Sequence, residues 1–222
     1  MTIIRGTIRR RAIVRQLTRT FERSEASNGR SLPIRKTGRG IWAATPVRVV
    51  AEAATILDEL GLLDEKHQGG CVIDAGTGDG RVLAVLAALN PSLVVYGIES
   101  DRALQARAVA NLHALAASGL IDSTRVHLCE ADYRDVETYE ARGIALHDVG
   151  LIFNYPDGNE RHLARFVAEH CGDNTTLCLL THNRTLEIDE LELRSRHDVS
   201  DGTRPPWRLS LYRPQTAGAI GR

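Results

Sequence analysis

The chain has 222 residues, 43% of them hydrophobic, enough for one full core and too few for two, so one domain with an extension is expected. No run of about 18 apolar residues occurs, so no membrane-spanning helix is predicted, and the basic N-terminus leads into no apolar stretch of signal-peptide length. The 28 basic and 28 acidic residues cancel, but unevenly: residues 1–48 hold eleven arginines and Lys36 against only Glu22 and Glu25, so the two ends face different partners or each other.

The four cysteines, Cys71, Cys129, Cys171 and Cys178, show no CxxC pairing. They read as small core residues in a reducing compartment such as the cytoplasm. The eight histidines form no cluster with metal-ligand spacing, so no structural metal is predicted.

Ile3 to about Ser24 carries Ile4, Ile8, Ile13, Val14, Leu17 and Phe21 among seven arginines, from Arg5 to Arg23, and is predicted as a basic amphipathic helix. Three roles are open to it. It packs on the domain with a solvated arginine face, it touches RNA phosphates through residues 5–23, or it is an Arg-rich targeting peptide. Residues 27–44, with Asn28-Gly29, Leu32-Pro33 and Thr37-Gly38-Arg39-Gly40, read as a loop. Trp42 in that loop either packs on the core or covers a ligand. Thr45 is expected to cap a helix that has Pro46 in its first turn and ends at Gly61.

The stretch Cys71-Val72-Ile73-Asp74-Ala75-Gly76-Thr77-Gly78-Asp79-Gly80-Arg81 is a short apolar run, an acid, three alternate glycines and then a helical pattern. A strand, a tight turn and a helix N-terminus follow from it, a combination suited to a nucleotide. A second buried strand ends at Glu99, and a helix from Asp101 closes at Gly119. A third strand from Arg125 to Cys129 runs into Asp132, and residues 134–147 are poorly determined. A fourth, from Val149, runs into Asn154-Tyr155-Pro156-Asp157 and is followed by a helix over about 160–171. A fifth, Thr176 to Leu180, ends at Thr181-His182-Asn183. The tail reads as a hairpin of two strands, Leu191–Arg196 and Trp207–Tyr212, joined through Gly202 and Pro205-Pro206.

This alternation predicts an α/β fold: a doubly wound, mostly parallel seven-stranded sheet with helices on both faces and a C-terminal antiparallel strand pair. Residues 1–44 are expected to form the basic extension and 45–222 the domain. Ligands of such sheets bind beyond the carboxyl ends of the strands, which singles out Asp74 to Gly80, Glu99, Asp132, Asn154 to Asp157 and His182. A dinucleotide turn of the GxGxxG kind needs a small residue where Arg81 stands, and no GxxxxGK[ST] phosphate loop occurs.

At these residues the sequence resembles the class I S-adenosylmethionine-dependent methyltransferase family over about residues 45–213. Val72 to Gly80 is similar to the family's first motif and Glu99 to its acidic residue after the second strand. The resemblance implies S-adenosylmethionine as cofactor, held by Asp74, Gly76, Thr77, Gly78, Gly80, Glu99, Asp132 and Asn154. Glu99 suits the two ribose hydroxyls and Asp132 the adenine amino group. Asp74 and Asp79 suit a cationic sulfonium better than a diphosphate, although Asp79 also suits a helix N-terminus.

Asn154-Tyr155-Pro156-Asp157 partly resembles the family's Asn/Asp-Pro-Pro-aromatic motif of amino-group methyltransferases, with Tyr155 in place of proline and Asp157 in place of the aromatic residue. It nominates Asn154, Tyr155 and Asp157 as catalytic residues and an amino nitrogen as acceptor. Two rivals remain: a non-catalytic RNA-binding or assembly protein on the same scaffold, and an NAD-type oxidoreductase, which Arg81 disfavours.

Overall fold

The computed structural model describes residues 2–27, 34–38, 40–64, 71–182, 186–200 and 207–215, without the side chains of 2–7, 27, 34 and 35. Asn28-Gly29, Leu32-Pro33, Arg39, Asn183, Gly202 and Pro205-Pro206 lie outside the described residues, as does the side chain of Arg5.

The elements run α1 (Thr2–Ser27), β1 (Ile34–Lys36), β2 (Ile41–Ala43), α2 (Val47–Glu59), β3 (Val72–Ala75), α3 (Arg81–Leu89), β4 (Val95–Glu99), α4 (Arg102–Ala117), β5 (Val126–Glu130), α5 (Val136–Glu140), β6 (Leu151–Asn154), α6 (Glu160–His170), β7 (Thr176–His182), β8 (Leu191–Val199) and β9 (Trp207–Pro214). Seven strands form one sheet in the order β5-β4-β3-β6-β7-β9-β8. Pairing is parallel from β5 to β7 and antiparallel for β7–β9 and β8–β9. The predicted doubly wound sheet with its terminal antiparallel pair is the one observed.

Strand periodicity divides the core. Val72, Val95 and Leu151 face one cluster with α1, α2 and α3, while Ile73, Ile98 and Ile152 face another with α6, as alternate residues of a strand buried on both faces must. Two helices end as the glycines foretold. At Gly61, with φ +70°, the Gly61 and Leu62 amides donate to the carbonyls of Asp58 and Leu57, and Gly119 closes α4 with the same pair of bonds. This is the Schellman arrangement, which satisfies carbonyls the helix leaves orphaned.

Three expectations need correction. Thr45 does not cap α2: Pro46 occupies the N-cap position, which puts the Thr45 side chain one residue too early, and its carbonyl accepts from Arg81 instead. The stretch read as a loop over residues 27–44 contains the antiparallel pair β1–β2, turned by Thr37, whose amide and hydroxyl both donate to the Gly40 carbonyl. Among the described side chains of α1, the packed apolar face runs from Ile13 to Phe21 and leaves out Ile8. Leu17 and Phe21 are fully buried, whereas Ile8 is 61% exposed.

Candidate active site

The carboxyl ends of β3, β4 and β6 meet where the strand order reverses about β3, the place where open α/β sheets bind ligands. The cleft there is lined by Asp74, Gly76, Thr77, Glu99, Asp132 and Tyr133 from the sheet side, and by Trp42 and Ala43 from β2. Tyr155 and Asp157 line it as well.

The turn after β3 is anchored to the neighbouring strand, since the amides of Gly76 and Thr77 both donate to the Ile98 carbonyl at 2.9 and 3.1 Å. Glu99 closes the turn: its Oε2 accepts from the Gly78 amide at 2.9 Å and its Oε1 from the Asp101 amide at 2.8 Å. The Ser100 amide acts on the carboxylate as well, and of its roughly four acceptor sites this leaves room for a ligand hydroxyl. Burial pushes the Glu99 carboxyl above its ordinary range, against the lowering effect of these amides.

Two of the turn glycines serve packing at left-handed φ. Gly78, at φ +58°, lies directly beneath Trp42, whose indole occupies the space a Cβ would need. Gly80, at φ +84°, lies against Ala108 and Leu112 of α4, so it seats helix on helix and does not line the cleft.

Asp74 and Asp79 are both 1% exposed. Asp79 is held by Arg81, whose Nε and Nη2 donate to its two oxygens at 2.9 and 2.5 Å. Arg81 also donates to the Thr45 carbonyl and to Glu25 of α1 at 2.9 and 2.8 Å. Burial opposes its charge, but Asp79 and Glu25 outweigh that and raise its pKa. The residue that spoils a dinucleotide motif thus joins α1, the start of α2 and the turn. Asp74 has the Thr77 hydroxyl at 2.6 Å, and burial lifts its pKa to about 7, helped by Glu99 and Asp79 and opposed by that hydroxyl.

Asp132 is engaged by Arg134, which donates from its backbone amide, Nε and Nη2 at 2.9, 3.0 and 2.7 Å. Asp157 accepts from the Tyr133 hydroxyl at 3.0 Å and from the Asn159 amide at 2.9 Å, and its carbonyl accepts from the Ile41 amide at 2.9 Å. The loop after β6 is therefore tied to β2. Tyr155 lies 5.8 Å from the Trp207 ring, and His182, also against Trp207, does not line the cleft.

Asn154 is 1% exposed at the end of β6. Its Nδ2 donates to the Ala75 carbonyl at 2.7 Å, a contact only the amide nitrogen can make, and its Oδ1 is buried with no partner among the described residues. An orphaned buried acceptor is costly and calls for a reason.

The sequence placed Asp74, Glu99, Asp132 and Asn154 at strand ends; the first three line the cleft, and Asn154 lies buried behind its lining. The sequence expected only backbone near Tyr133 at the site, and did not foresee the Tyr133 side chain and Arg134 at the rim, nor the β1–β2 hairpin over the mouth, although two short apolar segments flanking a four-residue turn with two glycines is a hairpin signal. With Trp42 seated on Gly78 the enclosed space is about 50 Å³, against roughly 300–1,000 Å³ for ligand pockets in general. Trp42 is half-buried on Gly78 and belongs to neither core cluster.

No protein-family model and no curated protein matches the sequence. Solved structures do match in fold. An rRNA methyltransferase, aviRa, from Streptomyces viridochromogenes superposes with a TM-score of 0.58 at 17% identity, over 81% of this chain and 88% of that one. An RNA methyltransferase from Salinibacter ruber, in complex with S-adenosylhomocysteine, gives 0.52 at 18% identity, over 73% and 91%. Magnesium protoporphyrin IX methyltransferase from Synechocystis, with S-adenosylmethionine bound, gives 0.53 at 15% identity, over 76% and 79%. The strand order, the glycine turn and these likenesses together give this chain the fold of the class I S-adenosylmethionine-dependent methyltransferases.

Proposed function

We propose that the protein transfers a methyl group from S-adenosylmethionine to an amino nitrogen. The observation that carries the reading is the pair of enclosed carboxylates, Glu99 and Asp74, flanking a glycine turn at the reversal in strand order. Glu99 is placed for the ribose hydroxyls. Asp74 is the acid left to face positive charge, because Asp79 is neutralised by Arg81. Two of the similar proteins are RNA methyltransferases by name, which puts RNA among the acceptors this scaffold serves.

Bound there, the cofactor supplies an electrophilic methyl on a sulfonium. The chain's own contribution is position and exclusion of water. Asn154 Oδ1, fixed by the bond from Nδ2 to Ala75, accepts one N–H of the acceptor and turns the nitrogen lone pair toward the methyl. A neutral amine needs no base before attack. Asp157, with an oxygen on Tyr133 and another on Asn159, holds the loop that carries Tyr155 rather than removing a proton.

The test is label transfer from methyl-tritiated S-adenosylmethionine into cell extract, with the product bond identified by mass spectrometry. N-methyl products that fall at least about tenfold with Asn154→Ala are expected, the loss of one charge-developing contact being worth that much or more. Methyl groups found only on oxygen or carbon, or transfer indifferent to Asn154, would contradict the amino-nitrogen assignment.

A further inference from the structure

A groove of about 1230 Å³ runs between α1 and α4. Its floor is the alanine row of α4, including Ala106 and Ala110, and its wall carries Arg15, Arg19 and Arg23 of α1, with Arg107 of α4 at the end nearest the cleft. The three α1 arginines are exposed. No ion pair neutralises them or Arg107 among the described residues. Helix α4 contains no acid, and of the two on α1 Glu25 is already bound to Arg81.

Arg107 links this groove to the active site. Its guanidinium lies 6.0 Å from the Trp42 ring, and Asn111, which also lines the groove, donates to the Asp79 carbonyl in the glycine turn at 2.9 Å. A ligand following the groove arrives at the cover of the cleft.

We infer that the α1–α4 groove binds the phosphodiester backbone of single-stranded RNA and leads the acceptor strand to Trp42, an inference that rests on the methyl-transfer reading of the cleft. Three features of the groove select this occupant. Arg15, Arg19 and Arg23 recur every fourth residue, about 6 Å along the helix axis, a spacing comparable to that of successive phosphates on an extended strand. The charge lies in a concave channel, which suits a single chain and not a flat membrane surface. The floor of small apolar side chains admits sugars and bases that an arginine floor would exclude, and Trp42 at its end offers a face on which a base can stack.

The test is fluorescence anisotropy of the full chain with a labelled 12-nucleotide single-stranded RNA across a salt series, with S-adenosylhomocysteine calorimetry on the same samples. Binding is expected to weaken steeply with salt. Arg15→Glu with Arg19→Glu is expected to weaken it at least about tenfold and to flatten the log–log salt slope by about 1.4, the share of two phosphates on a single strand. Ala110→Glu, which puts a carboxylate on the floor at an exposed helix position, is expected to weaken it as well and covers the case in which the double variant does not fold. Arg161→Glu, on α6 across the sheet, leaves it unchanged.

RNA that does not bind at low salt, or binds all four proteins alike, overturns the groove assignment, and so does tighter retention of polyglutamate or duplex DNA than of the RNA. Calorimetry keeps the two readings apart. Failure of S-adenosylhomocysteine to bind, with groove-dependent RNA binding intact, removes the methyl-transfer reading and leaves the groove.

Discussion

Asp74, in β3, and Asp79, five residues on in the turn that follows, are equally buried, yet their surroundings differ. Asp79 has an arginine fork on both oxygens, and a buried charge paired in this way is expensive to break. Asp74 has one hydroxyl and two other carboxylates for company. With a folded pKa of about 7, it is mostly neutral on the acid side of that value and ionised above it. A cationic ligand favours the ionised form and lowers that pKa, so affinity climbs as pH rises toward about 7 and levels off beyond it. Titration of S-adenosylmethionine, which carries the sulfonium charge, over that range is expected to show this climb in the wild type and its loss in Asp74→Asn. A slope unchanged by Asp74→Asn would assign the proton to another group. The positions of these acids were legible in the sequence because both flank a glycine turn. Their unlike states were not, because Arg81 gathers partners from Glu25 and Thr45, 56 and 36 residues away, and no local pattern reports such contacts.

At the scale of elements, the β1–β2 hairpin decides access. It is attached to the body by the Ile41 amide on the Asp157 carbonyl and by Trp42 on Gly78, and it shares no strand pairing with the main sheet. With Arg81 and Arg107 beside the Trp42 ring, these local contacts hold a segment that can open at lower cost than the sheet behind it. Association of S-adenosylhomocysteine is therefore expected to be gated by this opening, and Trp42→Ala to speed it at least about tenfold in stopped-flow fluorescence, since required rearrangement is what depresses on-rates. An on-rate unaffected by Trp42→Ala would place the entrance elsewhere. Helices α2 to α4 were legible from their 3.6-residue periodicity, and the ends of α2 and α4 from their terminal glycines. Strands of three residues, β1 and β2, are too short to show a period, which is why their stretch read as loop.

Over the whole molecule, alternation of strands and helices specified a parallel sheet because parallel strands need crossovers, and the long strands near the C-terminus specified the antiparallel close. The association of α1 was only half legible. Its buried Leu17 and Phe21 join the same cluster as α2 and α3, so the stretch expected as an extension beyond the domain contributes to its core while presenting arginines to the groove. One fold thus carries two adjoining surfaces, an acidic cleft under a tryptophan cover and a basic channel leading to it.

The central claim is that the cleft holds S-adenosylmethionine by Glu99, and isothermal titration of folded protein with S-adenosylhomocysteine tests it most directly. The expected result is binding by the wild type that weakens by about 1–3 kcal/mol in Glu99→Ala, the worth of hydrogen bonds to a charged acceptor, with the circular dichroism spectrum retained. No detectable heat from folded wild-type protein, or equal affinity in the two proteins, would contradict it.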